Sequence, residues 1–260
     1  MALITLTTDL GYRDYYVPIV KGYIHSNISP VSLVDITHLI KPFNIAEAAY
    51  ILKNCYKNFP DNSIHLINIE SNIETNDDYI VVSYHKQFFI AKDNGVISLV
   101  TDGNADKIVK LELPKPEEKI FPLHFVLAKA ACKLVKDYKL KNLGTIIPEM
   151  YTISAVKPLL EQNMIRGMIL YVDNYGNAIT NINGSHFERY GNERKAIIFF
   201  SRKEQVDNIS SHYSDVAEGD ALCLFGSSGL LEIAINKGNA SRLIGLNEKS
   251  RVLVEFQDIE

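Results

Sequence analysis

Apolar and polar positions follow two different rhythms along this chain. In the first half, short apolar runs alternate with helical spacing. Leu3-Ile4-Thr5-Leu6 reads as a buried strand, and residues 15–27 place Val17, Val20 and Ile24 on one helical face. Residues 31–36 read as a second strand, ending at Asp35-Ile36-Thr37-His38. Asn44 then opens a helix with Glu47 three positions on, the spacing of a capping box, and Ala46, Ala49 and Leu52 give it a close-packing face. Residues 64–69 form a third strand, 79–83 and 87–91 a hairpin across Tyr84-His85-Lys86, and 125–135 another helix, with a turn at Asp93-Asn94-Gly95.

In the second half the rhythm shortens. Strand-like runs at 168–172, 178–182, 196–200, 221–225, 230–235 and 251–256 are separated by turns rich in Gly, Asn, Asp and Ser. The pattern predicts an α/β N-terminal domain with a mostly parallel central sheet over residues 1–157, a linker at 158–166, and a smaller all-β domain, a barrel, over 167–260.

Composition narrows the function classes. A hydrophobic fraction of 47% and a net charge of −4 without long single-sign runs suit a soluble globular protein and offer no surface for nucleic acid or membrane. No signal peptide and no apolar run of about 20 residues is visible, so a cytoplasmic location is the default expectation. Cys55, Cys132 and Cys223 stand apart in apolar contexts and read as buried small hydrophobes in a reduced compartment. The seven histidines lack ligand spacing, so no structural metal is expected.

Four stretches carry more polar punctuation than folding requires. Thr7-Thr8-Asp9-Leu10-Gly11, with Asp14 beyond, ends the first strand in acids. Ligands of open α/β sheets sit outside the carboxyl ends of the strands. A carboxylate there can accept two hydrogen bonds at once, which suits a vicinal diol; a turn acid at Asp9 and a helix cap at Asp14 would satisfy the same letters. The other three are Asp35–His38 followed by Pro42-Phe43, the run Asp173-Asn174-Tyr175-Gly176-Asn177 with Thr180-Asn181, and Ser227-Ser228-Gly229 leading through Leu231-Glu232-Ile233-Ala234 to Gly238-Asn239-Ala240.

Together and in this order, along with Ala91 to Gly95, these stretches resemble the S-adenosyl-L-methionine (SAM) hydrolase family, also called SAM hydroxide adenosyltransferases, relatives of fluorinase and chlorinase. The resemblance runs from Leu3 to about Val254. It implies a homotrimer with the ligand at the subunit interface, and displacement at C5′ of SAM with methionine leaving; SAM is substrate, and no cofactor or metal is implied. By that resemblance Asp9 matches the acid that holds the ribose diol, and Asp14 a neighbouring acid of the same wall. Phe43 falls where relatives set a side chain against the nucleoside. Asp173 matches the acceptor of the methionine ammonium, Tyr175 and Asn177 the aromatic and amide around adenine, and Ser227 a residue on the methionine carboxylate. Asn239 and Ala240 match backbone groups on the adenine edge.

The chain departs from the family where water is activated. An Asp-Pro-Gly-Val-Gly-Thr segment followed by Arg, and Phe-His-Gly-Arg-Asp, mark hydrolytic members. Here the first begins Glu70-Ser71-Asn72, with Asp77 near the Arg position, and the second reads Phe121-Pro122-Leu123-His124. Glu70 keeps a carboxylate, and His124 is a second candidate two residues past the family histidine. Losing a positioned proton-transfer group costs about 10²–10⁴ in rate. The expectation is a SAM hydrolase with Glu70 and His124 as catalytic candidates; the alternatives are an impaired adenosine- or SAM-binding homologue and a same-fold enzyme with another nucleophile.

Overall fold

β1 (Ala2–Thr8) splits its residues by the two-residue period of a strand, Ile4 and Leu6 to one face and Thr5 and Thr7 to the other. Ile4 and Leu6 are fully buried in a cluster with Val20 and Ile24 of α1 (Tyr16–Asn27). The same cluster takes Leu123, Val126 and Leu127 of a π-helical turn (Leu123–Ala128) and Leu134 of α4 (Lys129–Asp137), which continues it. A second cluster joins Ala48, Ala49 and Leu52 of α2 (Ile45–Cys55) to Ile67, Ile80, Val82 and Phe89 of the sheet, and to Val96, Ile97 and Val100 of α3 (Val96–Thr101). Each fully buried Leu or Ile contributes about 1.5–3 kcal/mol.

The computed structural model describes residues 1–70, 78–112, 121–191, 194–201 and 204–258. They form two compact units, Met1–Ala155 and Val156–Glu260. In the first, β2 (Val31–Thr37), β3 (Ile64–Asn68), β4 (Tyr79–Tyr84), β5 (Gln87–Lys92), β6 (Lys107–Leu111) and β7 (Gly144–Ile147) join β1 in the order β2-β1-β3-β5-β4-β6-β7. The mostly parallel sheet expected from the sequence is corrected to a mixed one. β2, β1, β3 and β5 are parallel neighbours. β4 is antiparallel to both β5 and β6, and β6 to β7. The reason is local: a tight turn joins β4 to β5, and a turn that short returns the chain antiparallel, whereas a parallel return needs a crossover of a dozen residues or more.

The second unit is one antiparallel sheet. Residues 158–166, expected as a linker, carry β8 (Leu159–Glu161) and the start of β9 (Met164–Val172), paired with Leu160 opposite Ile165 across a two-residue turn. β10 (Ala178–Asn183), β11 (Lys195–Phe199), β12 (Gln205–Val206), β13 (Ala221–Phe225), β14 (Leu230–Ile235) and β15 (Arg251–Gln257) complete the order β12-β11-β15-β9-β10-β14-β13. A bridge between Ile209 and Cys223 brings the end beyond β12 back to β13, so the sheet nearly closes into a barrel. Its interior is filled by Ile165, Ile182, Ile198, Leu231, Ile233, Val252 and Val254. Two short helices, α5 (Gly184–Gly191) and α6 (Ala240–Ile244), follow β10 and β14. Among the described residues no helix is long and apolar enough to cross a membrane.

Candidate functional site

Three parallel strands end side by side in the first unit. Thr7 lies opposite Thr37 of β2, and Thr8 opposite Asn68 of β3. The loops leaving β1, β2 and β3 therefore meet, and Asp9 is at their centre. Its Oδ2 accepts the amide of Phe43 at 3.0 Å and that of Glu70 at 3.4 Å. Neither bond uses Oδ1. Both donors have left-handed backbone, φ 68° at Phe43 and 50° at Glu70, a conformation that costs a side-chain-bearing residue roughly 1–2 kcal/mol. The Phe43 ring is 66% exposed. Strained backbone that aims an amide at a carboxylate while holding an aromatic in solvent is a functional signature more than a folding one.

A polar chain, buried at Thr8 and His38 and half-buried at Asp35 and Lys21, supports this corner. Thr8 Oγ1 lies 2.8 Å from His38 Nδ1, His38 Nε2 lies 3.1 Å from Asp35 Oδ1, and Lys21 Nζ reaches Asp35 Oδ2 at 2.5 Å. His38 is completely buried, and Tyr12 packs edge-on against its ring at 4.9 Å between centroids. Burial lowers the His38 pKa and outweighs the opposing pull of Asp35. Burial works to raise the Asp35 pKa, but hydrogen bonds from Lys21 and His38 outweigh it and leave the pKa lowered. The ring is thus neutral and the carboxylate charged near neutrality. Thr7 Oγ1 and Asn68 Oδ1, at the same strand ends, are buried without a hydrogen-bond partner.

The other expected residues of this unit lie at varying remove. Asp14 is exposed just ahead of α1. The cap of that helix is Tyr15, which makes no side-chain capping bond, so Asp14 does not serve as the cap. Glu70 is exposed at the end of β3, joined to Asp9 through its own amide. His124 stacks on Phe125 at 4.5 Å and meets Tyr23 edge-on at 4.7 Å, two turns into α1. Asp77 and the rest of 71–77 lie outside the described residues.

In the second unit, Asp173 organises the turn between β9 and β10. Its Oδ1 accepts the amides of Tyr175 and Asn177 at 2.9 Å, and its Oδ2 accepts Asn177 Nδ2 at 3.0 Å. The turn presents Tyr175 to solvent, 76% exposed. Gly176, at φ 87°, lies so close to Asn239 that a Cβ there would fall 2.2 Å from the Asn239 amide, and Gly176 O accepts the amide of Ser241 at 2.9 Å. Residues 173–177 and 239–241 are thereby locked into one cluster. Asn239 also caps α6 by accepting the amide of Arg242 at 2.8 Å, and Ala240 is buried beside it. Ser227 is exposed in the β13–β14 turn. The register carries that turn to the Asn183 end of β10, whereas the Asp173 turn leaves from the Ala178 end.

Glu232 connects these two places; the sequence reading quoted it within the fourth stretch but gave it no role. Its carboxylate accepts the Tyr213 hydroxyl at 2.6 Å and lies 2.6 Å from where a Gly226 Cβ would stand. Burial raises its pKa, with the nearby Asp173 charge adding to the effect against the Tyr213 bond. The signal was present as an acid inside the apolar run Leu230-Leu231-Glu232-Ile233-Ala234-Ile235. Burial pushes the Cys55 and Cys132 thiols up to about 11, so they remain protonated and inert near neutrality. Among the described residues no group of three or more His, Cys, Asp or Glu side chains is placed to hold a metal ion.

An open α/β unit with a backbone-held carboxylate at its parallel strand ends, followed by a small, nearly closed antiparallel barrel with a second polar cluster, defines a two-domain protein of the α/β-plus-barrel kind. The chain belongs to the SAM hydroxide adenosyltransferase family: the family's N-terminal domain matches residues 4–144 and its C-terminal domain residues 167–253. It is 27% identical to the (R)-S-adenosyl-L-methionine hydrolase of Methanocaldococcus jannaschii, over 94% of this chain and 92% of that protein. It is 26% identical to the protein of the same name from Thermus thermophilus, over 93% and 94%. A crystal structure of an uncharacterized conserved protein from Thermotoga maritima superposes with a TM-score of 0.87 at 26% identity, covering 97% of this chain and 99% of that one.

Proposed function

We propose that this protein hydrolyses S-adenosyl-L-methionine to adenosine and L-methionine. The observation that carries the reading is Asp9, a carboxylate at the carboxyl end of β1 with Oδ2 held by two backbone amides and Oδ1 turned to no part of that pair. Such a group can accept ribose hydroxyls without reorganising, which lowers the cost of binding the nucleoside. Membership of the family and two full-length relatives named for the reaction support the substrate. Phe43 and Asp14 belong to the same wall, and Asp173, Tyr175, Asn177, Ser227, Asn239 and Ala240 are assigned to the methionine and adenine ends. Carboxylates suit a ligand that carries both a sulfonium and an ammonium.

In the proposed step a water oxygen bonds to C5′ as the C5′–S bond breaks. The bond pair stays on sulfur, which leaves as the neutral thioether of methionine, and the water proton passes to Glu70 and on to solvent. We assign no step to His124, whose ring is packed between Phe125 and Tyr23. Catalysis in this scheme is mostly positioning and desolvation of the nucleophile, and it calls on no cofactor. The trimer implied by the resemblance is part of the proposal.

The test is chromatography of adenosine and methionine after incubation with the (R) and, separately, the (S) sulfonium epimer, since the relatives' names specify the first. Equimolar products with the (R) epimer, and loss of at least about 10²-fold in rate in Glu70→Gln, are expected. Micromolar binding of SAM with no product would replace hydrolysis by the binding-only reading.

A further inference from the structure

The polar chain Thr8–His38–Asp35–Lys21, buried at its first two members, has no part in the proposed step, yet it underlies the residue on which that step depends. Thr8 Oγ1 accepts the amide of Leu10 at 3.3 Å and lies 2.8 Å from His38 Nδ1. The charged Asp35 carboxylate can only accept, so the neutral ring favours its proton on Nε2, facing Asp35 Oδ1 at 3.1 Å in an electrostatic contact that is short but not well aligned, and leaves Nδ1 to accept the Thr8 hydroxyl. Lys21 completes the chain on the other oxygen of Asp35. The main chain of His38 adds a second hold, because its carbonyl accepts the amide of Gly11 at 2.7 Å. Gly11 is at φ 69°, where the backbone reverses.

His38 thus grips Thr8 with its ring and Gly11 with its backbone. These are the two ends of the turn that carries Asp9. A histidine oriented from behind by a carboxylate is held in one tautomer and one rotamer. Here that order is transmitted to the turn and not to a reacting atom. Thr8 and His38 are fully buried beneath a surface turn, with Asp35 and Lys21 half-buried behind them; burying polar groups is costly unless they are satisfied, and a plain turn has no need of them.

We propose that His38 is a positioning residue for Asp9. Through Thr8 and Gly11 it fixes the Asp9 carboxylate at the spacing of two vicinal hydroxyls, and the Asp35–Lys21 pair holds the imidazole in place. This rests on the reading of Asp9 as the ribose acceptor.

The experiment is calorimetry of the full chain with adenosine and with 2′,3′-dideoxyadenosine, which lacks the diol. The unaltered protein prefers adenosine. Thr8→Val, which removes one hydroxyl at constant shape, and His38→Leu are each expected to weaken adenosine about tenfold and leave dideoxyadenosine unchanged. His38→Asn, whose amide oxygen can take the Thr8 proton near the place of Nδ1, is expected to recover most of the loss. The double variant Thr8→Val with His38→Leu is expected to be no weaker than the worse single, since both remove one contact. Equal weakening of both ligands, or variants that keep the parent's preference for adenosine, would overturn the positioning role. Should His38→Leu not fold, Thr8→Val decides by itself. A parent protein that binds the two ligands alike would sink the ribose reading, and this proposal with it. A parent preference that survives in the variants sinks this proposal alone.

Discussion

Phe43 shows how a single residue can work against stability. Its backbone is left-handed and its ring lies in solvent, yet its amide is one of two that hold Asp9. A glycine adopts that backbone without the roughly 1–2 kcal/mol penalty, partly offset by its greater freedom in the unfolded chain. Phe43→Gly is therefore expected to keep or raise Tm in a thermal melt while weakening adenosine binding by calorimetry. A lower Tm with unchanged binding would make Phe43 a structural residue. At this scale the sequence was partly legible. Asp9 stood out because an acid ended an apolar strand. The bonds to Phe43 and Glu70 could not be read, because they span 34 and 61 residues and depend on three strands ending in register. Thr8 lay within a stretch singled out by the sequence but had no role of its own, and Lys21 carried no signal; a threonine in a strand and a lysine on a helix are ordinary until His38 and Asp35 are placed against them.

Among the elements, α2 shows both agreement and departure: Ala49 and Leu52 of the expected packing face are buried, but Ala46 is exposed and Ala48 is buried in its place. One half of the capping box expected at Asn44 and Glu47 forms: Asn44 Oδ1 accepts the Glu47 amide at 3.1 Å. The Asn44 amide goes to Lys41 O at 2.9 Å in place of the reciprocal bond, and Glu47 Oε2 takes the Lys41 amide at 3.2 Å and Asn44 Nδ2 at 3.1 Å. The cap thus also shapes the loop from Lys41 to Phe43. Asn44→Ala is expected to cost about 1 kcal/mol, a fall in Tm of about 2–4 °C for a chain of this size, and to loosen adenosine binding through Phe43. An unchanged Tm would show that tertiary packing alone fixes the start of α2. Strands β1 to β5 were readable because each is a β-rich apolar run ended by turn residues. β8 was hidden in residues 158–166, where Pro158 and Glu161-Gln162-Asn163 look like linker chemistry; three residues are too few for a period to declare itself.

The pH response belongs to the whole molecule. His65 is buried between Thr5 and Gln87, and burial lowers its pKa to about 4 from 6.5, against the Gln87 bond. A histidine depressed in the fold is protonated first in the unfolded chain. Stability is then full above pH 6.5 and falls as the pH drops from 6.5 towards 4. The slope implies a loss of about 2 kcal/mol between pH 7 and pH 5. Urea unfolding at the two pH values should show that loss in the parent and a smaller one in His65→Gln, with a remainder from His38, whose pKa is lowered in the same sense. Equal losses in both proteins would remove His65 from the account. By itself the sequence determined the two-part organisation, most strands, the buried face of α1 and the family, because periodicity, turn residues and motif order are local and survive in one dimension. Only the tertiary structure decided that the first sheet is half antiparallel, that Glu232 is buried against Tyr213, and that Thr8, His38, Asp35 and Lys21 join beneath Asp9. Those outcomes depend on strand order and register, and hydrogen bonds between groups tens of residues apart acquire a partner only when the chain has closed upon itself.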